Sequence, residues 1–260
     1  MAVSQVQPVW TRMQGFEYNC SRHMPPGPAW NDLEGHVNLP WGIYFTAFGA
    51  ICIAAYLPCL GALYSNAQSS CYKIMLWLCV VDIQALCVTI IFGSYMIRGW
   101  VFCTDPLLST LTGVWSVGSW CGSCIGCTLL VLERLFEIRG LNRFLKGKRI
   151  WFPITFITFY AIFFALLTPP FFPTSAIPAM FSSPLIPGLE GVVSYSSITQ
   201  VFNNIGVAAL NAMMNLVVCL LVARKRSLIV DRSMRSANVD IRMYAQIMII
   251  SATNSTSSFM

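Results

Sequence analysis

Apolar residues run through this chain in long unbroken stretches, and charged ones gather between them. Charge-free intervals cover 35–72, 106–132, 150–189, 191–223 and 243–260. Each of the first four exceeds the roughly 20 residues a helix needs to cross about 30 Å of hydrocarbon. A further apolar stretch, 72–97, is interrupted by Lys73 at its edge and Asp82 inside it. None of these runs shows the alternation of a barrel wall, so the spanning elements are helices. The pattern predicts spans over 41–64, 72–97, 107–133, 150–172 and 195–223, with a last, incomplete one over 242–260. The expected fold is all-α: a polytopic membrane helix bundle over 41–260, preceded by a tail over 1–40. No internal repeat or low-complexity segment interrupts this plan.

Composition agrees. The chain is 56% hydrophobic and 10% charged, against about 25% charged in soluble domains. Charge placement adds an orientation. The connection after the third span holds Arg134, Arg139, Arg143, Lys146, Lys148 and Arg149, and the one after the fifth holds Arg224, Lys225, Arg226, Arg232, Arg235 and Arg242. Together they carry 12 of the 16 basic residues, while 173–194 has none. By the positive-inside rule both basic loops are cytoplasmic, which leaves the N-terminus outside. The net charge of +6 is thus a topology signal and does not point to nucleic acid.

The first 39 residues hold no apolar h-region, so no cleavable signal peptide is expected. Two basic residues (Arg12, Arg22) against three acidic ones (Glu17, Asp32, Glu34) give the tail a net −1, and it can be translocated behind the first span. Asn19-Cys20-Ser21 is a glycosylation sequon, consistent with an external tail. Pro25, Pro26 and Pro28 suggest that the rest of the tail is an irregular lead-in.

Several residues carry candidate chemistry. Cys20 and Cys103 both fall on the outer side, where thiols pair; the alternative is two separate free thiols. Asp82 lies ten residues from Tyr72, about 15 Å along a helix, near the midplane. A carboxylate there is costly and marks a functional site, or else a hydrogen-bonded structural residue. Asn203, Asn204, Asn211 and Asn215 lie in the fifth span, the last three on one helical face. Amides cannot face lipid unsatisfied, so that face should point inward, as interhelical glue or as ligand contact. "CGSCIGC" (121–127) has the spacing of a cluster site, but no His or carboxylate is near, so its thiols read as small packing residues. Gly118, Gly122 and Gly126 form a small-residue ridge, for packing inside the bundle or for a dimer seam.

Catalysis is not expected. Both histidines, His23 and His36, lie in the tail, and the spans offer neither a Ser-His pair nor a carboxylate dyad. No Gly-rich phosphate loop appears, and no cofactor or metal is implied.

The third span ends in "LERLFEI" (132–138), a Glu-Arg pair directly after the apolar run. With an outside N-terminus and basic inner loops, this looks like a G-protein-coupled receptor. "YNC" (18–20), "YLPCL" (56–60), "CYKIM" (71–75), Asp82, "GWVFCTDP" (99–106), "LTPPFF" (167–172) and "FNN" (202–204) narrow it, and over roughly 16–250 the chain resembles the nematode serpentine receptor class T chemoreceptors. The resemblance implies a seven-transmembrane bundle, with about six spans present here, in the plasma or ciliary membrane. It implies an external small-molecule ligand and a cytoplasmic heterotrimeric G protein as partners. Glu133 and Arg134 fall where rhodopsin-like receptors have their Asp-Arg-Tyr element, with Leu135 replacing the Tyr, and Asp82 falls where those receptors hold sodium. Arg134 would be held inward at rest, with Asp240 or Glu137 as partner, and released on activation. Arg134 and Glu137 at i, i+3 share a face, so a local pair capping the span is the plain alternative, and the resemblance favours the switch.

There are departures. The first span lacks the Asn typical of rhodopsin-like receptors, the fifth lacks Pro, and the chain stops before a sixth helix could show its Trp and Pro. Two other functions therefore stand beside the receptor: a transporter or channel coupled through Asp82, and a truncated, non-signalling receptor product. The segment ending in Ser251, Thr253, Asn254, Ser255, Thr256 and Ser257 is poorly suited to insertion, and the 260-residue chain alone is expected to be incompetent as a receptor.

Overall fold

A computed structural model describes residues 6–229, apart from 142, 144, 190–192 and 196. Two short helices, α1 (Val9–Arg12) and α2 (Ala29–Leu33), lie in the tail. Five helices follow that are long and apolar enough to cross a membrane: α3 (Leu39–Ser65), α4 (Ser70–Arg98), α5 (Pro106–Ile138), α6 (Trp151–Leu167, led in by a 3-10 turn from Gly147) and α7 (Ile198–Ile229). The fold is a helical membrane bundle. Large side chains such as Phe48 on α3, Phe152 and Phe159 on α6, and Phe202 on α7 are exposed, as lipid-facing surfaces require. The expected segment over 242–260 lies outside the described residues.

Local chemistry sets the helix ends. α5 starts at Pro106, with Asp105 as its cap: Oδ1 accepts from the Leu108 N–H at 3.0 Å, and Pro fills the first helical position, where no N–H is needed. α4 stops at Arg98 because Gly99 takes a positive φ of 69°, the left-handed conformation that closes a helix. α6 stops at Leu167, five residues short of the expected 172, because prolines 169 and 170 deny the helix its donors and push the preceding residue out of the helical region. Beyond them β1 (Phe172–Pro173) pairs antiparallel with β2 (Met180–Phe181). α7 begins at Ile198 instead of 195, where the Ser197 hydroxyl accepts from the Gln200 N–H at 3.3 Å.

The chain divides into two compact units, one from the residues up to Cys59, Val81–Cys121 and Phe159–Gln200, the other from Leu60–Val80, Gly122–Thr158 and the residues from Val201 on. The first holds the tail, irregular through residues 24–28 and packed against the rest of the unit. Tyr18, Cys20 and Trp30 are buried with Phe102, Cys103, Phe172, Ile186, Leu189 and Tyr195. The Trp30 indole donates to the Pro25 carbonyl at 3.1 Å, and Gly27 N–H donates to the Cys103 carbonyl at 3.1 Å. Proline-rich chain is thereby fixed by tertiary contacts that its local preferences did not announce. In the same unit α3 crosses α4 closely. The buried residues of α3 are Gly42 and Gly49, and a Cβ on Gly42 would lie 3.0 Å from the Gly93 carbonyl oxygen.

The second unit packs Ile74, Leu78, Cys127, Leu130, Val131, Ile150, Ile154, Ile157 and Val218 into one core. Trp77 donates to the Thr158 hydroxyl at 3.1 Å, joining α4 to α6. α5 is the most enclosed helix: 61% of its apolar window is buried, against 6% for α3.

Candidate functional site

The residues singled out by sequence fall into a tail cluster, two intramembrane polar contacts and the far end of α5. In the tail, Cys20 and Cys103 are disulfide-bonded across 83 residues of sequence. Asn19 is exposed beside them, its side chain accepting from the Ser21 N–H at 3.0 Å. Tyr18 is buried under the bridge. Burial pushes its phenol up to about 12, against the opposing pull of the Arg12 guanidinium beside it. Tyr195, which donates to the Glu17 carbonyl at 2.6 Å, is raised as well, again chiefly by burial.

Asp82 is half-buried on α4. Its Oδ2 accepts from the Tyr56 hydroxyl of α3 at 3.0 Å. Tyr56 belongs to "YLPCL", and no spacing along the chain pairs it with the carboxylate.

On α7 the face of Asn204, Asn211 and Asn215 is at least partly buried, and Asn203 lies deeper than Asn204. Gln200, Asn203, Val207, Asn211 and Val218 are buried, and Asn204 and Asn215 sit at intermediate depth. Asn203 thus replaces Asn204 on the deepest face, at spacings of three and four. Its Nδ2 donates to Asn204 Oδ1 at 3.0 Å. Asn211 Oδ1 accepts from the Thr128 hydroxyl of α5 at 2.9 Å, a contact between two spans. Cys121, Cys124 and Cys127 are all buried. Of the glycine ridge, Gly118 faces Ala165 and Gly126 faces Trp77 and Leu78 within the bundle.

At the end of α5, Glu133 and Arg134 are both buried. Arg134 Nη1 pairs with Glu137 Oε2, and Nη2 contacts the Cys71 sulfur of α4. Its Nε lies 3.6 Å from Glu133 Oε2. Adjacent residues on a helix do not share a face, yet this long side chain lies back along α5 and meets both acids. Cys71 is the participant that sequence reasoning missed. It stands in "CYKIM" at the start of α4, and no spacing rule links it to α5. Asp240, the other proposed partner of Arg134, lies outside the described residues. Among the described residues no three His, Cys, Asp or Glu side chains are grouped to hold a metal ion.

A bundle of lipid-facing helices whose most enclosed member ends in a buried, acid-paired arginine is the architecture of a serpentine membrane receptor. The family described as serpentine type 7TM GPCR chemoreceptor Srt matches over residues 8–260, and the chain belongs to it. It is similar to serpentine receptor class T-55 of Caenorhabditis elegans, with 23% identity over 220 residues, 80% of this chain. The chain spans 58% of that relative's length.

Proposed function

We propose that this protein is a chemosensory receptor that binds an external small molecule and signals to a cytoplasmic heterotrimeric G protein, with its N-terminus outside. The observation that carries the reading is the enclosure of Arg134. Glu133, Glu137 and Cys71 hold its guanidinium against the bundle. A charge held in this way can be released when the helices shift, and a ligand that prefers the released arrangement moves the population toward it. Cationic surface for an acidic partner is present beside it in Arg139, Arg143, Lys146, Lys148 and Arg149.

The test is basal nucleotide exchange by a G protein co-reconstituted with the receptor, and exchange supported by the 260-residue chain itself would set aside the expectation that it is incompetent alone. Glu137 is about half exposed, and pairs of that kind contribute under about 1 kcal/mol, a shift of up to about fivefold in an equilibrium. Glu137→Gln is expected to raise basal exchange by a few-fold at unchanged surface level, and Arg134→Ala to abolish exchange. Exchange identical in wild type, Glu137→Gln and Arg134→Ala would refute the switch.

The transporter reading rests on Asp82. Its contact with Tyr56 supports a structural role as readily as a coupling one, so the receptor reading is preferred.

A further inference from the structure

Arg12, the last residue of α1, is completely buried. Glu133 and Arg134, the other buried charges among the described residues, face each other, but Arg12 has no ion pair with a described acid. Its Nη2 reaches the Gln7 carbonyl at 3.5 Å, while Nε and Nη1 have no hydrogen-bond partner. Glu17, the nearest acid in sequence, folds its carboxylate back over Gly15. The Tyr18 hydroxyl is also buried with no partner at hydrogen-bond geometry, and the guanidinium beside it acts on it directly.

A buried cation with idle donors is costly unless a counter-charge meets it. The unmatched groups are two guanidinium nitrogens, which can only donate, and a phenol hydroxyl, which can donate as well as accept. A planar guanidinium fork matches the two oxygens of a carboxylate or phosphate. The surroundings are apolar: Met13, whose sulfur accepts from the Thr110 hydroxyl at 3.2 Å, and the rings of Phe102, Phe172 and Tyr195 around Tyr18.

We propose that Arg12 and Tyr18 form a binding site for the oxyanion head of a small amphipathic ligand, whose apolar body lies against this aromatic cluster. The inference rests on the receptor reading for its consequence, since such a ligand would be the chemosensory one. The site is shut off from solvent in this structure. Cys20 is anchored to Cys103, so the described stretch ahead of it, residues 6–19, is the segment that parts to admit a ligand and closes over it.

The experiment measures binding to the purified full chain by thermal stabilisation, without a G protein. The probes are hexanoate, its neutral analogue hexanamide, and inorganic phosphate. Hexanoate is expected to stabilise the wild type and hexanamide not, with Arg12→Gln weakening hexanoate at least tenfold. Arg22→Gln is the control, because Arg22 is exposed and stacks over Phe16; it should bind as the wild type does. Tyr18→Phe removes one hydroxyl and should weaken hexanoate severalfold, which keeps the idea testable if Arg12→Gln fails to fold. Indistinguishable effects of hexanoate and hexanamide, or hexanoate binding unchanged in Arg12→Gln or Tyr18→Phe, would overturn the site. Phosphate matching hexanoate would overturn the amphipathic ligand in favour of a free inorganic anion. If hexanoate binds but leaves nucleotide exchange unchanged, the receptor reading fails and the site stands. If exchange depends on Arg134 while no oxyanion binds, the site fails and the receptor reading stands.

Discussion

At the scale of single residues, burial sets the chemistry of the tail. Tyr18 is 3% exposed, and its phenol is pushed from 10 to about 12 by that burial. In the unfolded tail it would titrate near pH 10. The stability that comes from burying the neutral phenol is therefore fully present below about pH 10. It is lost as the pH rises from about 10 toward 12, because the unfolded chain gives up the proton first. A two-unit shift corresponds to stability on the order of 2–3 kcal/mol. Denaturant stability of the purified protein, followed from pH 9 to 12, should fall more steeply in the wild type than in Tyr18→Phe. Parallel pH profiles would reject a folded-state origin for the shift. None of this was legible in "YNC". The motif marks Tyr18 for its resemblance to a family, and what buries the ring comes from residues more than 80 positions away.

At the scale of elements, the helices could be read from the sequence and their contacts only partly. Charge-free length sets a span, so the five helices were visible as patterns. Ends set by backbone restriction, such as the stop imposed by prolines 169 and 170, needed attention to chemistry instead of hydropathy. Which face of a helix is buried was harder, because a span that is apolar all round has no periodic signal to read. For this reason neither the depth of Asn203 nor the α3–α4 crossing was legible in the sequence. That crossing yields a paired prediction. A Cβ on Gly93 would lie 2.8 Å from the Gly42 carbonyl oxygen and 2.9 Å from the Thr46 nitrogen, both backbone atoms that cannot rotate away. A Cβ on Gly61, also in α3, meets nothing within 4 Å. Gly93→Ala should therefore part the helices and cost about 1–3 kcal/mol. Gly61→Ala should be neutral or gain up to about 1 kcal/mol from helix propensity. Melting temperatures of the two purified variants decide it, and equal values would show that the close approach is not what these glycines provide.

At the scale of the whole molecule, the tail, the disulfide and the charge distribution make one orientation argument. Twelve of 16 basic residues lie at or after the C-terminal ends of α5 and α7 in the sequence, and on the proposed topology that bias sets the inside. On the proposed topology the tail lies on the opposite side, which would open Asn19 to the glycosylation machinery and Cys20 and Cys103 to oxidation. Expressed in cells, the wild type should carry one glycan that Asn19→Gln removes. The bridge closes a loop of 83 residues, and cross-links of this kind typically contribute about 2–4 kcal/mol. Cys20→Ser, Cys103→Ser and the double variant should lose the same amount of stability, because each removes the same bond; additive losses would mean that the two sulfurs act separately. The glycan and the bridge test the orientation independently. An unglycosylated Asn19 together with cysteines that both react with a thiol reagent under non-reducing conditions would place the tail in the cytoplasm, and would move Arg134 to the wrong side of the membrane to meet a G protein.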